Sequence, residues 1–203
     1  MHKQLIAIAI AAFGAVVAAP AASASPVLTD NGVPVAVGAS IEGRNTGNIR
    51  FTGSSNIDCS NAVLTGTLTK NSGTKIEATI PVGAVTIAGT GTGGDCTSPL
   101  GSMKERFDSE LCLATGTIDN FVLTGCGAAA VLFTMEITGT GPCKYSASAI
   151  NGVFITNAAP ATINVSEQEV KKVEGGFFCP SSGKLDMEFD LYTNGTNTGL
   201  TIS

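Results

Sequence analysis

The sequence predicts an all-β fold, an antiparallel β-sandwich or flattened β-barrel stapled by disulfides. Three observations carry that expectation. Short apolar–polar alternations recur along the chain with Gly, Pro, Asn or Asp between them, as half-buried strands and turns require. Only 13% of residues are charged, about half the usual share, and Thr, Ser, Asn and Gly supply the polarity instead. That mixture suits strands and turns better than helix surfaces. Six cysteines, an even number, follow an export signal.

The signal comes first along the chain. His2 and Lys3 precede an apolar run from Leu5 to Ala19, followed by Pro20 and Ala22-Ser23-Ala24. A basic start, an apolar middle and a small-x-small end describe a secretory signal peptide. The run is shorter than the roughly 20 residues that span a bilayer. Cleavage is expected after Ala24, leaving residues 25–203 as a single secreted β domain. Ala128 to Phe133 is the longest apolar run in the mature chain, so no transmembrane segment is expected there. The first cysteine is Cys59, too far on for a lipid anchor, and Gly199 to Ser203 carries neither an apolar tail nor a wall-sorting motif. The expected location is therefore extracellular, with loose attachment to the cell envelope as a variant.

Net charge is −5 over the whole chain, and loss of Lys3 makes the mature chain more acidic. This argues against nucleic acid or an anionic membrane surface as partner, because both attract clustered Lys and Arg.

Strands are expected over 33–41, 48–52, 62–69, 75–80 and 83–88, with Pro81 marking a bend or an edge. Ser102 to Leu111 follows Pro99 and contains Met103-Lys104-Glu105-Arg106, which reads as a loop with at most one helical turn. Leu111–Thr117 and Phe121–Cys126 read as a hairpin around Ile118-Asp119-Asn120, with Asn120 left-handed. Val131, Phe133, Met135 and Ile137 alternate along a further strand, and 152–156, 161–165 and 167–174 follow. The clearest alternation is Leu185, Met187, Phe189 and Leu191 against Lys184, Asp186, Glu188 and Asp190. Thr-Gly-Thr recurs at 65–67, 90–92, 115–117 and 138–140, which suggests a hairpin repeat, although chance explains it equally well in so Thr- and Gly-rich a chain.

Sequential pairing of the cysteines is expected: Cys59–Cys96, Cys112–Cys126 and Cys143–Cys179. The middle pair rests on hairpin register, since pairing 117 with 121 sets 112 opposite 126. Six cysteines allow 15 connectivities and the remaining four still allow three, so the outer pairs are chosen for sequential order alone. Metal binding is the weaker reading, because no CxxC spacing occurs.

The only histidine is His2, inside the signal. This removes Ser-His-Asp and Cys-His nucleophiles and His-based metal sites. Ser181-Ser182-Gly183-Lys184 fits S-x-x-K, but follows Pro180, leads into a strand and has no KTG partner. Gly89-Thr90-Gly91-Thr92-Gly93-Gly94 fits G-x-G-x-x-G, yet Asp95 to Pro99 cannot open the helix that a dinucleotide site requires. Asp186, Glu188 and Asp190 could hydrolyse a glycoside or hold calcium, but Lys184 beside them points to a solvated surface. Aromatic platforms for sugars are scarce: there is no Trp, and only Tyr145 and Tyr192. Asn164-Val165-Ser166 and Asn194-Gly195-Thr196 are glycosylation sequons. No catalytic residue, cofactor or metal is expected.

Three stretches carry a resemblance: Asn56 to Ser60, Leu64 to Thr69, and Phe178 to Met187, the last being the most specific. They resemble small secreted β-rich proteins of high-GC Gram-positive bacteria (actinobacteria). The resemblance implies export and a β fold, and carries over no catalytic residue.

The leading functional expectation is a non-catalytic secreted or envelope-associated protein with a structural or binding role. Its partner would be a cell-wall component, an extracellular polysaccharide or a protein. A carbohydrate- or small-ligand-binding β-barrel is the alternative, and a large apolar cavity would mark it. A carboxylate-based hydrolase comes third and needs two acids across a cleft, about 5–10 Å apart.

Overall fold

The computed structural model describes residues 26–72, 75–116, 119–139, 141–156 and 159–203, so the expected signal peptide, residues 1–24, lies outside the described residues. The fold is all-β and antiparallel throughout, with one 3-10 turn at Thr92–Gly94 among the described residues. β1 (Leu28–Asp30) turns into β2 (Val33–Pro34) through Asn31-Gly32, both at positive φ, as a two-residue hairpin demands. β3 (Ser40–Asn45), β4 (Ile49–Thr52) and β5 (Ile57–Cys59) precede β6 (Asn61–Ser72), β7 (Lys75–Ile80) and β8 (Val85–Ala88). Three antiparallel pairs follow: β9 (Cys96–Ser98) with β10 (Gly101–Phe107), β11 (Leu111–Thr115) with β12 (Asn120–Gly125), and β13 (Val131–Ile137) with β14 (Gly141–Ala147). β15 (Ile150–Ile155) leads to two long strands, β16 (Thr162–Glu174) and β17 (Ser182–Thr193), and β18 (Leu200–Ile202) returns to β1.

The ladders close into two circuits of eight strands. One runs β3–β6–β7–β11–β12–β15–β16–β17 and back to β3. The other runs β4–β5–β9–β10–β13–β14–β16–β17 and back to β4. Both use the β16–β17 hairpin, whose length lets each half serve one circuit. A bulge between Val165 and Gln168, with Glu167 at positive φ, separates the halves. Closure pairs strand edges that an open sheet would leave available to other chains.

One core runs through both circuits. Leu185, Met187, Phe189 and Leu191 point inward along β17 and line three small voids of about 20, 30 and 20 Å³ in turn. Opposite walls therefore meet across a filled interior, as the sheets of a sandwich do. The first circuit is capped by Leu28, Leu200 and Ile202, all buried. In the second, Tyr145 stacks on Phe133 at 5.5 Å and meets Phe51 at 5.1 Å. Each circuit seats a ring on a glycine: a Cβ on Gly183 would lie 2.2 Å from Phe51, and one on Gly152 would lie 2.3 Å from Phe121. Burying such a ring contributes about 1.5–3 kcal/mol.

The three disulfides are the expected ones, Cys59–Cys96, Cys112–Cys126 and Cys143–Cys179. The register behind the middle pair differs: Thr115 faces Phe121, so Cys112 faces Thr124 and the bridge runs diagonally to Cys126. The turn is displaced along the chain: the Gly116 amide donates to the Asn120 carbonyl at 3.0 Å, and Asn120 opens β12 and is not left-handed. Thr117 and Ile118 lie outside the described residues. Expected strand 33–41 is instead β2 and β3 separated by a turn. Expected strands 161–165 and 167–174 are one strand with a bulge. Ser102 to Phe107, read as a loop, belongs to β10: Met103, Glu105 and Phe107 form its inward set, and the acid among them hid the alternation. The Thr-Gly-Thr segments occupy unlike places, within β6 at 65–67 and in a loop at 90–92, so they mark no structural repeat.

Candidate functional site at the hairpin tip

The tip of the β16–β17 hairpin, 175–181, stands beyond the last ladder pairs, Lys144↔Glu174 and Lys171↔Ser182. Three features hold it in one shape. The Cys143–Cys179 bridge ties it to β14. Gly175 takes φ 134°, and a Cβ there would lie 2.5 Å from the Cys179 sulfur, so only glycine admits this close bridge. Lys172 Nζ donates to the Cys179 carbonyl at 3.1 Å, and the Tyr145 hydroxyl donates to the Pro180 carbonyl at 3.0 Å. Tyr145 is fully buried, and burial pushes its phenol up to about 12.

On this rigid turn stand Phe177 and Phe178, 96% and 60% exposed, with ring centroids 5.9 Å apart in an edge-on arrangement. Both rings face water while the bridge beneath them is buried. Exposed apolar groups clustered on a fixed support mark interaction surfaces, whereas scattered ones do not. Beside the tip an open groove of about 500 Å³ is lined by Thr52, Ser54, Lys171, Ser181, Ser182 and Lys184 among others.

The chain has no Trp and two tyrosines to serve as platforms, and both tyrosines are occupied. Tyr145 is interior, and the Arg44 guanidinium covers Tyr192 at 4.5 Å. The Phe177-Phe178 pair beside Gly175-Gly176, between two strand patterns, was the available signal.

The other candidates are dispersed or engaged. Asp186, Glu188 and Asp190 lie along the outer face of β17 and accept cross-strand hydrogen bonds. Donors are the Glu167 amide at 2.7 Å, Thr46 Oγ1 at 2.6 Å and Asn164 Nδ2 at 2.8 Å, and Thr162 Oγ1 at 2.6 Å. They share one strand face and do not oppose each other across a cleft. Lys184 pairs with Glu167 at 3.0 Å and stands on strand β17, not one helical turn from Ser181 as the S-x-x-K chemistry requires. Gly89 to Gly94 folds back on Asp95 and leads into β9, with no helix after it. The sequon residue Asn164 is bonded to Glu188, and Asn194 Nδ2 donates to Ser40 Oγ at 2.9 Å.

One group escaped notice in the sequence. Glu105 reaches inward among Ile49, Phe51, Phe107 and Leu185, and burial pushes its carboxyl up to about 7. It lies within 4.8 Å of the Cys59 and Cys96 sulfurs, but those sulfurs are bonded to each other.

Comparison with protein-family models, curated proteins and solved structures returns no match for this chain. Among the described residues no helix is long and apolar enough to cross a membrane.

Proposed function

We propose that this is a non-catalytic extracellular protein, loosely associated with the cell envelope, that holds its target with the Phe177–Phe178 tip. The observation that carries the reading is two exposed rings on a turn pinned by a disulfide, a lysine and a tyrosine. Holding the rings out in advance removes the ordering cost that a mobile loop would meet on binding. The filled interior directs binding to the surface: voids of about 20–30 Å³ are far below the roughly 300 Å³ of a small-molecule pocket. Three disulfides suit an oxidising compartment.

A polysaccharide chain is the second reading, favoured by the hydroxyl-lined groove beside the tip. A pelleting assay tests the first. Oxidised protein is mixed with washed cell walls, membranes and insoluble polysaccharides, and depletion is compared with that of the Phe177→Ser/Phe178→Ser variant. Saturable depletion that the double variant loses is the expected result. Depletion by no fraction, or equal depletion of both proteins, would overturn the proposal.

A further inference from the structure

We infer that the tip is a lipid-interface anchor, in which Phe177 and Phe178 enter the headgroup boundary of a bilayer whose anionic lipids meet the lysines behind them. This rests on the tip being the binding surface and names its partner.

Shape comes first. The rings stand exposed on the turn at the end of the longest hairpin, so a partner that yields around them covers both. A fluid bilayer yields. Phenylalanine is among the side chains that interfacial segments bury at the headgroup–acyl boundary, and a pre-formed tip presents two together.

Charge comes second. The chain is acidic overall, at −5, which by itself argues against an anionic surface. The structure distributes that charge unevenly. Lys144, Lys171 and Lys172 lie on β14 and β16 directly behind the tip. Strand rise puts Lys172 and Lys171 about 7–10 Å behind the end of β16, the depth at which headgroups would sit over inserted rings. The acids nearby are Glu174, paired with Lys144 at 2.6 Å, Glu136, opposite Pro142 on β13 and paired with Arg106 at 3.4 Å, and Glu169, two residues further back than Lys171. Lys184 and Glu167 pair with each other beyond these. The acidic trio of β17 lies in the other direction along the hairpin, away from the tip.

Two weak signals together give reversible peripheral attachment, where either alone is marginal. The tip supplies both an apolar and a basic one.

The protein contains no Trp, so Phe178→Trp makes a single fluorescent reporter at the tip. Oxidised protein carrying it is titrated with phosphatidylcholine vesicles, with and without phosphatidylglycerol, and the same samples are sedimented. The expected result is a blue shift with co-sedimentation, stronger on anionic vesicles and weakened by salt. Adding Phe177→Ser should lower affinity about tenfold or more. Lys171→Glu should lower it several-fold on anionic vesicles and leave phosphatidylcholine binding unchanged. Lys172 is left intact because it holds the turn. No shift and no co-sedimentation by the folded protein would overturn the lipid assignment. If walls or polysaccharides still deplete the protein in a Phe177- and Phe178-dependent manner, the tip stands as binding surface with a different partner. If nothing depletes it, both readings fall.

Discussion

The two circuits share a hairpin yet are closed by different means. The circuit capped by β1 and β18 closes through extended ladders: β3 pairs with β6 over five residues and β11 with β12 over five. Its disulfide, Cys112–Cys126, joins strands already paired and lies off the core. The circuit that holds the tip closes between β5 and β9 through one ladder pair, Asp58↔Thr97. Cys59 and Cys96 are the next residues along, and their buried bridge bolts that seam. The same circuit carries the Cys143–Cys179 bridge and the inward Glu105. Backbone pairing thus suffices for one half of the molecule, and covalent bonds replace it in the half that presents the tip.

The largest effect that would sharpen this contrast comes from the disulfides. Cys59→Ser/Cys96→Ser should cost about 4 kcal/mol by chain entropy, more once the buried seam opens, against about 3 kcal/mol at most for Cys112→Ser/Cys126→Ser. Urea denaturation of the two variants measures it. Equal losses would break the contrast.

Glycine replacements come next. Gly183→Ala and Gly152→Ala both drive a methyl into a ring and should cost about 1–3 kcal/mol. Gly152 should be the worse, because a Cβ there also meets the Asn164 carbonyl at 2.5 Å, and backbone cannot rotate aside. A larger loss at Gly183 would mean that the tip circuit is the stiffer one.

Glu105 gives the tip circuit a pH dependence of its own. Its folded carboxyl stands near 7, above the ordinary 4.5, so folding favours the protonated form. Its contribution to stability is fully present below about 4.5 and is lost as pH rises through about 7. Glu105→Gln should therefore stabilise the protein above pH 7 by about 1–2 kcal/mol, allowing for solvent at the rim, and change little at pH 4. The difference between wild-type and variant unfolding free energies from pH 4 to 8 reads it directly. A constant difference across that range would remove Glu105 from the account.

The smallest effect on folding is expected at the tip. Phe177→Ser should change stability by less than about 0.5 kcal/mol, since the ring is 96% exposed. A substantial loss would show that Phe177 supports the fold, and its role as a contact would need another basis.

The strands legible in the sequence are those with one apolar and one polar face. Lys184 to Leu191 is the clearest case, and it lies inside β17. Strands in which one residue contradicts the local pattern were not legible. Glu105 on the inward face made β10 resemble a loop, and the bulge at Ser166–Glu167 made β16 resemble two strands. The 112–126 hairpin was found with its register displaced, because the composition of a turn does not fix which residue it centres on. For the site, the cysteines were legible and the tip was not: nothing in the local pattern around Phe177 and Phe178 marks them as exposed.

Alternation, turn residues and an even cysteine count are properties of short segments, and from them the sequence alone determined an all-β fold with its cysteines paired, leaving which cysteine meets which to the fold. Only the tertiary structure decided that the strands close into two circuits, that Glu105 points inward beside a disulfide, and that two phenylalanines point out. Those outcomes depend on which distant strands meet, through contacts 30 or more residues apart such as Cys59–Cys96 and Cys143–Cys179, separated by 37 and 36 residues. Local pattern states whether a residue prefers burial; the meeting of remote strands determines whether burial is offered.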